Sequence, residues 1–513
     1  MKSPCWGSPL VYAVITVSTA CAQEQSDGQL EPLGEGVAAA AASIQADDYL
    51  RKLGIIAHDS MGGRDTPSPG LEMTAAWIAG EFERAGLTPA GDDGSYVQRY
   101  AIEVVQQDFV ASSVRINGGG DLRFGRDMVT RGTFEGDFEG GVVVLMGLDP
   151  LAPDDARRIV GKHVIVASLP GGLDGQGRRY TAGLLREGAL SVLAVVDAPD
   201  RDWDQYVKSV SSSSIVRVGG HAPTGGFSAE VRAGAIKTIL RAHGVDLSRV
   251  PAPGEEAVID VPGLGFTLSP RVQVLDGRSA PNVAGIVEGS DPVLKEEFVV
   301  FSAHMDHIGI GTPNAEGDSI NNGADDDGSG TIAIVEIAEA FASLETKPKR
   351  SMIFLLVSGE EKGLWGSAYF AENPPVPVDR MVADLNADMV GRNWPDTIVA
   401  IGMEHSDLGS TLALVNRAHP ALGMTAIDDI WPEERFYFRS DHYNFARVGV
   451  PVLFFFNGTH EDYHGLDDEV DRINAEKAVR ISQLIFYLGY ELASRSERPR
   501  WNPESRREIV RDR

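Results

Sequence analysis

Cysteine is nearly missing from this 513-residue chain: there are two, Cys5 and Cys21. The rest of the chain has no thiolate and no disulfide to offer, so any metal it holds must be bound by histidine and carboxylate. Positive charge is also scarce. Lys plus Arg number 46 against 74 for Asp plus Glu, a net charge of -28. A surface of that sign repels phosphate backbones and anionic membranes, so no nucleic-acid partner is expected. Past the first residues no apolar run is long enough to cross a bilayer. Two catalytic signatures are lacking as well: there is no Gly-x-Ser-x-Gly nucleophile elbow, and no glycine-rich run carries a lysine suited to a phosphate loop. What remains, 43% hydrophobic and 23% charged, is the composition of an ordinary globular protein of about two to four domains.

The N-terminus reads as an address. Lys2 precedes a short apolar stretch, Leu10 to Val17, and then Ala20-Cys21-Ala22. This predicts a signal peptide over 1–22 and an exported protein, periplasmic or extracellular. A second reading makes Cys21 the lipid-bearing residue of an outer-membrane lipoprotein, although Ser18 stands where such signals usually carry Leu. Residues 23–43 are rich in Gln, Glu, Gly and Ala and are expected to be a linker.

From Ile44 the pattern becomes helical. Met73 to Ala85 sets Ala76, Ile78, Phe82 and Ala85 at helical spacing, with Gly86 as C-cap. Over 126–265 the texture changes to short β-rich runs separated by glycines: Val142–Met146, His163–Ala167 and Leu190–Val196. The stretch GKHVIVASLP…RRYTAGLLREGALSVLAVVD resembles the protease-associated domain, a small module inserted in several exopeptidases. Beyond it, buried-looking strands alternate with helices, the signature of an α/β fold with a mostly parallel sheet. Strands are expected at Phe298–Ser302, Met352–Val357, Met381–Asn386 and Pro451–Phe456. Helices are expected at Thr331–Ala342, Gly366–Glu372 and Ala475–Ala493.

After the first of those strands comes AHMDH, with His304 and Asp306; after the second, SGEEKG, with Glu360 and Glu361. The third ends at Asp388, and the fourth is followed by DYHGLDDEVD, with Tyr463 and His464. In open α/β sheets ligands bind outside the carboxyl ends of the strands, so four ligand-type groups share one edge. The run NNGADDDGSG adds Asp326 in a glycine-rich turn, where a carboxylate is able to bridge two cations. A competing reading sets Asp325, Asp327, Ser329, Gly330 and Glu336 as an EF-hand calcium loop. The breaker-rich PNAEGDSINNGA on its entering side argues against it. His307 and His442 are expected to be structural or solvated, and Asp468 and Asp471 to support the His464 loop.

AHMDH, GADDDGSG, SGEEKGLWGS, NADMVG and YHGLDDEVD, in that order, resemble the co-catalytic zinc exopeptidases. That family includes secreted bacterial leucyl aminopeptidases, aminopeptidase Y and the glutamate carboxypeptidases. The resemblance covers 44–125 and 266–495, with the protease-associated insert between them and a C-terminal tail over 496–513. It implies two Zn²⁺ per chain, one held by His304, Asp388 and Asp326, the other by Glu361, His464 and the same Asp326. Imidazole and carboxylate donors suit that metal. It further implies Glu360 as general base, Asp306 as the group that orients the His304 ring, Tyr463 as a hydrogen-bond donor to the tetrahedral intermediate, and a cis peptide between Asp326 and Asp327. Gly465-Leu466 departs from the Thr-Pro often found after this histidine. The expected activity is an aminopeptidase acting on peptide substrates. Alternatives are a glutamate-carboxypeptidase-like dipeptidase, a glutaminyl cyclase with a single zinc, and a non-catalytic, receptor-like relative.

Overall fold

The computed structural model describes residue 30 and residues 33–511, apart from 131, 148–150, 168–175, 198–199, 212, 220–225 and 248–257. The expected signal peptide and the Cys21 lipid site lie outside the described residues. The expected linker differs from the reading above at its C-terminal end. Val37–Ala42 is a helix, and Val37, Ala40 and Ala41 are buried against the main core. Five alanines in a row offer high helix propensity and a flat apolar face, so composition alone misleads there.

Two sheets organise the chain. The strands of the larger one are β1 (Val97–Gln107), β2 (Ser214–Arg217), β3 (Val272–Val287), β4 (Phe298–His304), β5 (Ser351–Val357), β6 (Met381–Asp388), β7 (Thr397–Ile401), β8 (Thr425–Ile427) and β9 (Val452–Phe456). Their order is β8-β7-β9-β6-β4-β5-β3-β1-β2, and the two-residue strand Thr88–Pro89 also pairs with β3. The centre, β9-β6-β4-β5, is parallel, whereas β3, β1 and β2 add antiparallel on one side. Every residue of β4, β5 and β6 is buried, because helices cover both faces. Alternation along the strands sorts side chains to the two layers. Val299, Phe301, Phe354 and Leu385 join one core with helices Gly330–Ser343 and Ala475–Ser494. Val300, Ile353, Leu355 and Phe454 join the core on the other face. The expected strands and helices of this region are all present, within two residues of their expected ends.

The helix Pro69–Ala85 starts four residues before the expected Met73, because Ser68 caps it by accepting from Leu71 N and Pro69 fits its first turn. Gly86 ends it in the left-handed region.

The smaller sheet has seven strands between Ser113 and Ser269, and its middle four are parallel. This region is more helical than its texture suggests. Helices Pro153–Ile159, Gln176–Arg186, Asp200–Val210 and Ala233–Ala242 alternate with the strands. Residues of alternating parity again feed two cores, Val142, Val144 and Ile165 on one side and Val143, Val164 and Val166 on the other.

Candidate metal centre

The chain delivers its chemistry to the carboxyl edge of the parallel strands. His304 and Asp388 are the last residues of β4 and β6, Glu360 and Glu361 lie in the turn after β5, and His464 lies in the loop after β9. Asp326 comes from the turn Ala324–Ser329 that leads into the helix Gly330–Ser343. Its peptide bond to Asp327 is cis. His464 and Met389, which follows Asp388, both hold left-handed backbone, a conformation that costs a non-glycine residue about 1–3 kcal/mol.

All five expected ligands converge. His304 Nε2 lies 3.4 Å from Asp326 Oδ1 and 3.7 Å from Asp388 Oδ1. His464 Nε2 lies 3.1 Å from Asp326 Oδ2 and 3.3 Å from Glu361 Oε2. Asp326 thus faces one imidazole with each oxygen. The electrostatics follow from crowding charge away from water. Burial opposes a charged His464, but Asp326 and Glu361 outweigh it and push the imidazole up to about 10. Burial acts against an ionised Glu361 too, yet His307 and His464 pull it down to about 2. Glu360 is raised well above the usual carboxylate range, by burial first and then by Asp441, Asp388 and Glu361, against the opposing His304. Asp388 is also raised, by burial.

The neighbours of these groups sharpen the reading of Asp306, Asp468 and His307. Asp306 does not orient the His304 ring through its carboxylate, whose Oδ1 is 3.7 Å from Nδ1; the closer partner is its carbonyl oxygen at 3.2 Å. The carboxylate instead accepts from Thr66 Oγ1 at 2.9 Å and from Glu360 N at 3.3 Å, which ties it to the turn that presents Glu360. Asp468 accepts from Asp325 N and Asp326 N at 2.9 and 3.1 Å, so it holds the acidic turn itself. His307 is fully buried, its ring nitrogens have no hydrogen-bond partner, and Nδ1 lies 3.0 Å from Glu361 Oε1. His442 is structural as expected, stacked on Phe454 and bonded through Nε2 to Tyr437 O at 2.8 Å.

Asp327 is a fixture that sequence reasoning missed. Its two oxygens accept from His304 N, Gly330 N and Met389 N at 3.1, 2.8 and 3.1 Å. One carboxylate therefore locks together the ends of β4 and β6 and the start of a helix. This geometry, with Glu336 paired to Lys52 Nζ at 2.7 Å, leaves no EF-hand loop. Arg64, fully buried, donates to the carbonyls of Ile56, Met305, Asn322 and Gly323 and pins the same turn from behind. Nothing in its sequence neighbourhood signals this.

His304, Asp326, Glu360 and Asp388 open into a cleft walled by Met389, Phe436, Phe454, Phe456, Arg439, Ser440, Thr459 and Tyr463. Ser440 donates to Asp388 Oδ2 at 2.9 Å. The Tyr463 ring stacks on His464 with centroids 3.9 Å apart.

Residues 282–489, which carry every one of the converging groups, match the model of peptidase family M28. Over this segment the chain is similar to peptidase family M28. The chain is 28% identical over 221 residues to a probable leucine aminopeptidase of Arthroderma otae, 42% of this chain and 58% of that one. It is 28% identical over 224 residues to leupeptin-inactivating enzyme 1 of Streptomyces exfoliatus, covering 42% and 44%. Aminopeptidase YwaD of Bacillus subtilis is 22% identical over 237 residues, covering 45% and 48%. The chain spans about half the length of the curated relatives it matches. The likeness of fold extends further than this likeness of sequence. The aminopeptidase of Aneurinibacillus sp. strain AM-1 superposes with a TM-score of 0.50 at 16% identity, over 90% of this chain and 97% of that one.

Proposed function

We propose that this protein is an exported zinc exopeptidase, an aminopeptidase that removes N-terminal residues from peptides. The observation that carries the reading is the convergence of two imidazoles and three carboxylates at one sheet edge. Among the described residues, Asp326 Oδ2 and Glu361 Oε1 are buried there without a hydrogen-bond partner. Buried carboxylates gathered without partners are costly unless a cation joins them, and nitrogen and oxygen donors fit zinc. His304, Asp388 and Asp326 would hold one ion, and Glu361, His464 and Asp326 the other. When bound, the two ions would supply the Lewis-acid charge that acidifies water and offsets the negative charge developing on the scissile carbonyl oxygen.

The remaining work belongs to the chain. Glu360, facing the cleft, takes a proton as the water oxygen adds to the carbonyl carbon, and returns it to the amine as the C–N bond breaks. Tyr463, on the cleft wall, donates its hydroxyl proton in a hydrogen bond to the carbonyl oxygen. Thr66 and Asp306 fix the Glu360 turn. The carboxylates of Glu360 and Asp388 suit a free α-amino group, and Met389, Phe436, Phe454 and Phe456 offer an apolar wall for the N-terminal side chain. The relatives named for leucine aminopeptidase activity point the same way. A second reading rests on Arg439, whose guanidinium on the same wall suits a substrate carboxylate and favours a glutamate-carboxypeptidase-like dipeptidase. The leader over 1–22 supports export, and the seven-stranded unit between β1 and β3 is read as the protease-associated insert.

The test compares wild-type protein with Glu360→Gln on aminoacyl-nitroanilides and on N-acyl dipeptides, with zinc counted in both. Two zinc ions per chain in each protein are expected, with aminopeptidase kcat lowered about 10²–10⁴-fold in the variant. Turnover of N-acyl dipeptides alone would shift the assignment to the second reading, and full activity in Glu360→Gln would end the mechanism.

A further inference from the structure

We infer that His307 is a sixth metal-binding side chain of this centre, on the side of Glu361 and His464. The inference rests on the metal centre proposed above and changes it in one respect: the two ions are held unequally. His307 is fully buried, and neither of its ring nitrogens has a hydrogen-bond partner. A buried imidazole with no partner is costly, and native interiors avoid it unless something else is bound. Nδ1 lies 3.0 Å from Glu361 Oε1 and 3.7 Å from Asp326 Oδ2. The first separation is that of a hydrogen bond, yet Nδ1 and Oε1 both remain unpartnered. The ring N–H direction does not meet the oxygen; the two atoms stand beside each other, as two donors to a third body do.

The other atoms of that side complete the picture. His464 Nε2 is 3.1 Å from Asp326 Oδ2 and 3.3 Å from Glu361 Oε2, and the His307 and His464 rings meet edge to face with centroids 5.6 Å apart. His307, Asp326 and Glu361 bring one donor atom each within 4.8 Å of one another, and His464 approaches the same two carboxylates. Imidazole and carboxylate are donor types that zinc takes, and this side would have one imidazole more than the five-ligand centre proposed above. The opposite side has a single imidazole, His304, whose Nδ1 is occupied by the Asp306 carbonyl. The ion on the His304 side would have one imidazole fewer, and the ion on the His307 side would be the more firmly held.

Zinc K-edge X-ray absorption on the two-zinc protein counts imidazoles directly. Three per two zinc ions are expected in the wild type, falling to two in His307→Ala. A count of two in the wild type would overturn the inference, and this measurement does not depend on any variant folding. Isothermal titration of metal-free protein with Zn²⁺ gives an independent readout. His307→Ala, checked by far-UV circular dichroism beside His307→Asn, is expected to weaken the tighter of two binding steps by at least about tenfold and leave the weaker step unchanged. An unchanged tight step would refute the assignment. A wild-type chain that binds no zinc would instead bring down the metal centre itself.

Discussion

Asp384 is sealed from water in the middle of β6, its Oδ1 accepting from Ser302 Oγ at 2.8 Å and its Oδ2 without a partner. Burial raises its pKa to about 8. In the unfolded chain the carboxyl ionises near 4, so the folded form binds this proton more tightly. The stabilisation is complete below pH 4 and is lost as pH rises through 8. Asp384→Asn removes that titration. The stability of wild type relative to the variant, read from urea midpoints, is expected to fall between pH 5 and 8 with a slope of up to about 1.4 kcal/mol per pH unit. A flat difference would place the proton elsewhere. Residues of this kind show what a sequence discloses. The convergence of the five expected positions was legible because each lies in or beside a segment with a recognisable pattern. His307 was not, since a single histidine carries no spacing signal and its meaning lies in which oxygens surround it. Asp327 was hidden differently, as one of three consecutive aspartates whose separate tasks depend on the path of the turn.

At the scale of elements, the strands were readable to within two residues, because uninterrupted apolar runs bounded by turn residues have few alternatives. The helices of the smaller sheet were not. Their sequences, such as QGRRYTAGLLR over Gln176–Arg186, are short and polar, and their apolar stripe becomes visible only against a sheet. Gly330 illustrates how an element positions the metal centre. A Cβ there would lie 2.2 Å from Ala387 O and 2.4 Å from Asp327 Oδ1. Gly330→Ala raises intrinsic helix propensity by about 1 kcal/mol, yet it must push the helix start away from the end of β6. Zinc affinity measured by chelator competition is expected to fall about tenfold or more, with little change in helical content. Unchanged affinity would mean that the turn relaxes without moving Asp326.

Across the whole molecule the two sheets are joined by long strands: β1 and β3 pair from Val97↔Val283 to Gln107↔Val272, and β2 extends the ribbon by pairing with β1. Arg217 of β2 adds a two-pronged link to Glu372, at 2.8 and 3.1 Å, on the helix Trp365–Glu372. A double-mutant cycle of Arg217→Ala and Glu372→Ala is expected to give a coupling of about 0.5–3 kcal/mol. Additive effects would show that the paired strands alone hold the two units in place.

Because β1 pairs with β3 along all of β1, the polypeptide leaves β1 at Gln107 and enters β3 at Val272 at adjacent points. Pairing Gln107 with Val272 closes a loop of some 160 residues, and the entropy of that closure rises only slowly with the length of the insert. A protein laid out like this is able to exchange, enlarge or discard its accessory lobe over evolutionary time while the threading of the parallel strands stays the same.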